Sequence, residues 1–289
     1  MRILSLPNEL LLLIAVDLPI KPLYRFLSTC HRLSSLLTPH FHKLALRDVG
    51  SLTALHWAAR YGHASLAEIV LSQCAGGGVG SGKRQRLFPT PLHLAVEYNH
   101  PDVIRVLAKH GEKITTRGRF FSTPLHKAAS QGSVHVIRVL LELGADMTWT
   151  DETGETPVHI SAGRGDIDSM RAFIDTGLDF KLNNWLGRTV LHEAILNGKG
   201  TMVEFLLGHG GKKIINARDS TGKTPLHWAV SGGESTADGD IVKMLCYHGA
   251  DAGVVDNQGN TPLGVAVGGG RVWLSRVLLD CLANVSDGE

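Results

Sequence analysis

Cysteine is scarce and scattered in this chain. Its 289 residues include four cysteines, at Cys30, Cys74, Cys246 and Cys281. No two of them have the CxxC or CxH spacing that is typical of a metal or redox site. We therefore expect reduced cysteines in an intracellular protein, without a disulfide framework.

Long apolar runs and an excess of charge are also missing. The longest apolar run spans residues 10–16, far short of the about 20 residues that cross a bilayer. Pro7, Asn8 and Glu9 interrupt the region where a signal peptide needs a continuous apolar segment. The net charge of +2 gives no general attraction to nucleic acid or membranes. We expect a cytoplasmic protein that binds neither, and the short basic tract at residues 83–86 leaves entry into the nucleus open.

What the chain does contain is repetition. A six-residue motif, Thr-Pro-Leu-His-x-Ala with close variants, occurs seven times at intervals of 33 to 37 residues. A period near 33 that survives small insertions is the signature of a stacked-repeat protein. The motifs begin at Thr53, Thr90, Thr123, Thr156, Thr189, Thr224 and Thr261.

Each motif has the chemistry of a helix start. A threonine hydroxyl can accept a hydrogen bond from a backbone N–H that the first helical turn leaves unpaired. Proline suits the next position, because its φ angle is already helical. A glycine turn and a second apolar-periodic stretch follow, as in residues 132–141. The pattern predicts two antiparallel helices per repeat.

Histidine follows the same repeat. Six of the fifteen histidines occupy the fourth motif position, where the ring can bond back to neighbouring turns: His56, His93, His126, His159, His192 and His227. Five more stand at other repeated positions, and none belongs to a convincing HExxH or CxxC…H pattern. We therefore expect structural histidines, with no metal and no cofactor.

The wording and the period of these motifs resemble the ankyrin repeat, a β-turn followed by two antiparallel helices. The resemblance implies an all-α solenoid of seven helix-turn-helix units with β-turn tips, over residues 47–283, followed by a tail at 284–289. It also implies that partners bind to the turn tips and the inner helices.

Residues 1–46 form a different segment. Their apolar spacing and prolines predict two or three short helices, too few for a stable core of their own. The segment resembles an F-box, although the tryptophan that often follows the Cys-Arg-x stretch of that family is absent. An F-box would bind a Skp-type adaptor of a cullin–RING ubiquitin ligase. The alternative is a helical cap on the first repeat. The residues that would contact the adaptor are Leu6, Pro7, Glu9, Leu10, Ile14, Leu18, Leu23 and Leu27.

Candidate partner-binding residues are those at the tips and on the inner helices. Counting from each motif threonine places them at Arg60, Tyr61, Glu97, Tyr98, Arg119, Phe120, Gln131, Glu155, Arg164, Trp185, Arg188 and Asn197. A mixture of arginine and aromatic residues is typical of binding hot spots, whereas the solvated face of any solenoid also carries charges. Trp185 is the best single candidate, because the pattern shows no packing role for it. We expect Trp57 and Trp228 to pack between neighbouring inner helices.

Three insertions interrupt the repeat. Residues 77–83 satisfy GxxxxGK, but Arg84 replaces the required Ser or Thr and no strand precedes the loop, so we expect no nucleotide site. Residues 234–239 lengthen the link between the helices of repeat six, and residues 210–213 extend the exit from repeat five. We expect all three to be mobile.

Three functional hypotheses remain. The first is a substrate receptor, monomeric outside its complexes, that holds a target protein in the groove and a Skp-type adaptor at its N-terminal segment. The second is an ankyrin scaffold whose N-terminal helices are a cap. The third is an enzyme acting on a small molecule in the groove, for which no nucleophile–base pair is visible.

Overall fold

A computed structural model of the chain describes residues 54–73, 90–115, 122–232 and 236–286. The chain divides into two compact units, residues 1–118 and 119–289. Several predictions lie outside the described residues: the F-box-like segment with its eight adaptor-binding residues, the glycine-rich loop, Arg119, Phe120 and the side chain of Trp57.

The first unit contains two helical hairpins in its described part. Helices α1 (Ala54–Tyr61) and α2 (Ala64–Gln73) form the first hairpin, and α3 (Pro91–Glu97) and α4 (Pro101–Lys109) form the second. Helix α1 packs on α3 and α2 packs on α4. The core between them is apolar, with Leu55, Leu66, Leu92, Ile104 and Leu107 at most 2% exposed.

The second unit repeats the same hairpin. Its inner helices contact one another in chain order, and α12 of the outer row contacts both α10 and α14. The helices are α5 (Pro124–Gln131), α6 (Val134–Glu142), α7 (Pro157–Arg164), α8 (Ile167–Asp175), α9 (Val190–Leu196), α10 (Gly200–Gly208), α11 (Pro225–Ser231), α12 (Thr236–Tyr247), α13 (Pro262–Gly268) and α14 (Val272–Ser286). The predicted all-α solenoid of helix-turn-helix units is confirmed for the repeats.

The motif begins the inner helices as predicted. At Thr156 the hydroxyl accepts the backbone N–H of His159, and Pro157 is the first helical residue. Thr90, Thr123 and Thr261 accept the equivalent N–H of their own helices. The cap satisfies a donor that the first turn cannot pair.

The motif histidines of the second unit have a further role, because each one links its repeat to the next. The Nε2 atoms of His126, His159, His192 and His227 lie 2.9–3.3 Å from the backbone carbonyl oxygen that precedes the next motif threonine. At His227 the backbone N–H of Thr224 donates to Nδ1, so Nε2 carries the proton that is donated to the carbonyl of Asn260. Burial lowers the pKa of both His159 and His192 to about 4.

Two predictions about insertions are wrong in detail. Residues 210–213 were predicted to be a mobile extension, but residues 211–213 belong to a short 3₁₀ helix (Gly211–Ile214) in which Gly211 and Ile214 are buried. Residues 236–239, predicted to lie in a link, form the first turn of α12. Apolar burial anchors the first of these segments. Within the described residues, no helix is both long enough and apolar enough to cross a membrane.

Candidate protein-binding surface

Four turns of the second unit share one construction, and we number them by repeat: tip four (residues 151–155), tip five (184–188), tip six (219–223) and tip seven (256–260). In each tip, the first residue is Asp or Asn, and its backbone N–H donates to the carbonyl of the last residue. Its Oδ1 accepts backbone N–H groups two and four residues further on, as Asp219 does from Thr221 and Lys223. This closes the tip without any β-strand pairing.

Successive tips are joined by single backbone hydrogen bonds. Trp185 N–H donates to the carbonyl of Gly154 at 3.3 Å, and Ser220 N–H donates to that of Leu186 at 2.9 Å. Tip seven is tied to tip six in the same way, from Asn257 to Thr221. The four tips therefore form a continuous edge.

Trp185 is the most exposed aromatic residue of this edge, with 66% of its surface accessible. Leu186 beside it is 47% exposed. The sequence showed no packing role for Trp185, and the structure corrects this. Its side chain lies against Gly154, where an added β-carbon would come within 2.3 Å of the tryptophan Cγ. One side of the Trp185 side chain thus packs against Gly154, and most of its remaining surface faces solvent.

A pair of carboxyl groups, from half-buried Glu155 and buried Glu193, lies behind tip five. The side-chain amide Nδ2 of Asn184 donates to Oε1 of Glu155 at 2.7 Å and to Oε1 of Glu193 at 3.2 Å. Burial, reinforced by the charge of Glu193, raises the pKa of Glu155 to about 7. Burial also raises the pKa of Glu193, against the opposing effect of Arg188. One amide therefore holds two carboxyl groups, from consecutive repeats, that repel each other when both are ionised.

Arg188 extends this cluster to Trp228. Its Nη1 lies 3.5 Å from Oε1 of Glu193, and its guanidinium lies 4.8 Å from the centre of the Trp228 ring. The ammonium of Lys223 lies 4.9 Å from the same ring. The indole Nε1 donates to Asp219 at 2.8 Å. Trp228 is half-buried among charged tip residues, rather than packed simply between inner helices as we expected.

The helix ends of the second unit carry a polar row that the sequence predicted. Arg164 and Gln131 are exposed at the ends of α7 and α5, and Asn197 is exposed just after α9. The Arg164 guanidinium lies over Gly132, within 3.2 Å of where its β-carbon would be, and the Asn197 amide is equally close to Gly163. Arg164 and Asn197 thus each reach across to the preceding repeat.

In the first unit, predicted residues also come together. The guanidinium of Arg60 lies 5.1 Å from the ring centre of Tyr98 and 5.9 Å from that of Tyr61. Both rings remain exposed, at 40% and 45%. Glu97 is exposed at the end of α3. This exposed cluster of one arginine and two tyrosines has the composition of a binding hot spot.

The chemistry of this surface suits recognition. Exposed aromatic and apolar groups on a rigid edge, beside arginine and lysine, are typical of protein-binding hot spots. Beside them lies the Glu155 carboxyl, whose pKa burial raises to about 7. In the part of the chain that the structure describes, no three His, Cys, Asp or Glu side chains gather as a metal ion would require.

Among the members of this cluster, Asn184 was missed by the sequence reasoning. The available signal was the spacing between a tip and its helix. The Asp or Asn that opens a tip faces the residue nine positions later, as Asn184 faces Glu193 and Asp219 faces Trp228. This nine-residue spacing would have paired Asn184, which stands where the other three tips have Asp, with Glu193.

Comparison with known families agrees with this architecture. The family described as ankyrin repeats (3 copies) matches the chain at residues 12–118, 77–151, 125–217 and 211–287. The chain belongs to the ankyrin-repeat family. Such proteins use their stacked repeats as protein-binding scaffolds, and that is the function the family and the fold support for this ankyrin-repeat protein.

Curated relatives of this ankyrin-repeat protein match short segments. It is 43% identical over 65 residues to tyrosine-protein kinase HTK16 of Hydra vulgaris, over 22% of this chain and 8% of the kinase. It is 40% identical over 71 residues to protein phosphatase 1 regulatory subunit 27 of Mus musculus, over 25% of this chain and 42% of that protein. The chain thus spans less than half the length of these relatives.

Solved structures match over a larger share of the ankyrin-repeat protein. The ankyrin repeat domain of Bcl-3, a member of the IκB protein family, superposes with a TM-score of 0.69 at 28% identity, over 79% of this chain and 97% of that domain. The ankyrin repeat protein EF0377 superposes with a TM-score of 0.60 at 24% identity, over 65% of this chain and 96% of that one. The second likeness concerns the fold alone.

Proposed function

We propose that this ankyrin-repeat protein is a substrate receptor of a cullin–RING ubiquitin ligase. Its N-terminal segment binds a Skp-type adaptor, and its repeats hold the target protein. The receptor performs no chemistry itself; it raises the effective concentration of the target near the ligase. The adaptor half of the proposal rests on the F-box-like pattern around Leu6, Pro7, Glu9 and Leu10.

The observation that carries the target-binding half is the exposure of Trp185 and Leu186 on tip five. Exposure of large apolar side chains to water is unfavourable, and a partner that covers them gains the free energy of their burial. Backbone bonds to the neighbouring tips fix their position, so little conformational entropy is lost on binding. The target therefore contacts the edge of tips four to six.

Co-expression with a Skp-type adaptor tests the adaptor half. The full chain should form a stable complex that survives gel filtration. Leu6→Asp or Leu10→Asp should abolish it, because a charge replaces an apolar contact. Asn8→Asp is the matched control, since position 8 lies outside the family pattern. Failure of the native chain to bind, or equal binding by Leu6→Asp, would rule out the adaptor role.

Proximity labelling in cells tests the target half. A true target should be captured by the native chain and lost with Trp185→Ala, while Leu6→Asp should retain capture and lose target ubiquitination. Tyr247→Ala removes an aromatic residue that is 86% exposed on α12, away from the tips, and should have no effect. Equal loss with both aromatic variants would contradict the role of tip five. Thermal unfolding of each variant checks that the repeats remain folded.

A scaffold without ligase activity is the second candidate. The family match begins at residue 12 and so overlaps the F-box-like segment, which favours a cap on the first repeat. In that case target capture depends on Trp185, no adaptor complex forms, and Leu6→Asp lowers the stability of the first unit.

A further inference from the structure

In two tips of the second unit, the first residue has a second polar side-chain atom that forms a hydrogen bond with the same position of the inner helix. In tip five, the second polar side-chain atom of Asn184 is paired with Glu193, nine residues on. In tip six, Oδ2 of Asp219 accepts the indole N–H of Trp228, again nine residues on, at 2.8 Å. The inner helix thus supplies a partner for the atom that the tip itself does not use.

Tip seven lacks that partner. Oδ1 of Asp256 accepts the N–H groups of Gln258 and Asn260, each at 2.9 Å. The residue nine positions later is Val265, which has no donor. Asp256 is only 4% exposed, and its Oδ2 has no hydrogen-bond partner among the described groups. A buried acceptor of this kind calls for a donor from elsewhere.

Asp256 is one of the residues that line a cleft between tips six and seven. The cleft has a volume of about 340 Å³ and is lined by Ser220, Thr221, Lys223, Asp256, Asn257 and Gln258. Backbone hydrogen bonds from Asn260 hold the pKa of Asp256 below its usual value, so the group is an anion at neutral pH. Lys223 adds a cationic donor to the same lining.

We propose that this cleft binds a carboxamide group, whose N–H donates to Oδ2 of Asp256 and whose carbonyl accepts from Lys223. A carboxamide combines at least one N–H donor with a carbonyl acceptor, which matches an anion and a cation in one cleft. An ammonium ligand is opposed by Lys223, and a carboxylate ligand is opposed by Asp256. In a bound polypeptide the group is a peptide unit or the side chain of Asn or Gln.

The ligand must displace a lining side chain to reach Oδ2, because that atom is closed to solvent in the free protein. Gln258 is exposed and has several rotatable bonds, so it can move at little cost. The origin of the carboxamide in a target polypeptide rests on the proposed protein-binding function. The binding of a free amide does not depend on that function, so failure of the ligase hypothesis leaves the cleft proposal intact.

Solution NMR of the ¹⁵N-labelled full chain tests the proposal with small probes. Acetamide or N-methylacetamide should shift the backbone signals of Ser220, Asn257 and Gln258 in a saturable manner. Preference for acetamide indicates a side-chain carboxamide as the natural group, and preference for N-methylacetamide indicates a peptide unit. Sodium acetate and methylammonium chloride at matched ionic strength should shift them much less.

Asp256→Asn should weaken amide binding about tenfold or more, because a donor replaces the charged acceptor. The tip should survive the change, since Asn184 closes tip five with its Oδ1. Asp251→Asn makes the same charge change outside the cleft and should bind as the native chain does. The proposal fails if neither amide shifts these signals, if a charged probe shifts them equally, or if Asp256→Asn binds amides undiminished.

Discussion

The side-chain nitrogen Nδ2 of Asn184 donates to Oε1 of Glu193, nine residues along the chain, at 3.2 Å. The same nitrogen donates to Glu155 of the preceding repeat at 2.7 Å. Asparagine can do this because its Oδ1 closes tip five while its Nδ2 remains available. An aspartate, which opens tips four, six and seven, would present a third carboxylate here.

Asn184→Asp should therefore destabilise the second unit by about 1–3 kcal/mol at pH 8, the cost of leaving buried polar groups without partners. The loss should shrink towards pH 5, because Glu155, whose pKa burial raises to about 7, is protonated there. Urea unfolding at both pH values measures it. Asn183→Asp is the matched control, since Asn183 is an exposed neighbour. An equal loss in both variants would contradict the role of the amide bridge.

Glu155→Gln should stabilise the chain increasingly as the pH rises. Burial raises the pKa of Glu155 from 4.5 to about 7, so the folded state binds a proton that the unfolded state has released. The native chain thus loses stability between pH 4.5 and about 7, and glutamine removes that loss. We expect a gain of about 1 kcal/mol by pH 8, after allowance for solvent screening. Exposed Glu152→Gln in the same tip should show no such pH dependence in urea unfolding.

His159→Ala should cost about 2–4 kcal/mol, because it removes two hydrogen bonds and leaves a cavity. The ring joins Thr156 to the carbonyl of Arg188 in the next repeat. His135, which is exposed on α6, provides the control, and His135→Ala should cost less than about 0.5 kcal/mol. Chemical denaturation compares the two, and similar costs would show that the ring does not link the repeats.

Acid should weaken the repeats through the same histidines. Burial lowers the pKa of His159 and His192 from 6.5 to about 4. Their contribution is complete above pH 6.5 and is lost as the pH falls towards 4, because the unfolded rings then bind protons first. Each ring contributes a slope of up to about 1.4 kcal/mol per pH unit. Unfolding measurements in the Glu155→Gln background isolate this slope, and His159→Ala should reduce it.

Substitutions at two tip glycines distinguish the cost of a strained backbone conformation from the cost of a steric clash. Gly187 and Gly259 both have positive φ angles, 71° and 81°. A β-carbon at Gly187 would lie 2.8 Å from the backbone nitrogen of Ser220, whereas one at Gly259 would meet nothing within 4 Å. Gly259→Ala should cost about 1–2 kcal/mol from the φ angle alone. Gly187→Ala should cost about 1–3 kcal/mol more, because tip six must move. Thermal unfolding that gave equal losses would show that tip stacking is not tight.

Much of this fold could be read from short-range pattern. Thr156 and Pro157 specify a helix start by local chemistry. The grouping of Arg60 with Tyr61 and Tyr98 followed from counting positions in the repeat. The burial of Ile214 in the extension after α10 could not be foreseen, because that contact depends on a packing arrangement outside the repeated pattern.

The sequence by itself determined the repeat, its helix starts and where in the repeat the candidate binding residues lie, since local hydrogen bonding and helical periodicity act over a few residues. Only the tertiary structure decided which of those positions meet. Asn184, Glu155 and Glu193 come together because stacking places one repeat's tip beside the next repeat's helix. In the last tip, Val265 stands where the helix could have supplied a donor, and Oδ2 of Asp256 has no hydrogen-bond partner among the described groups. The Asn184 cluster and Asp256 are thus two places where the polar contacts of this chain differ from one repeat to the next.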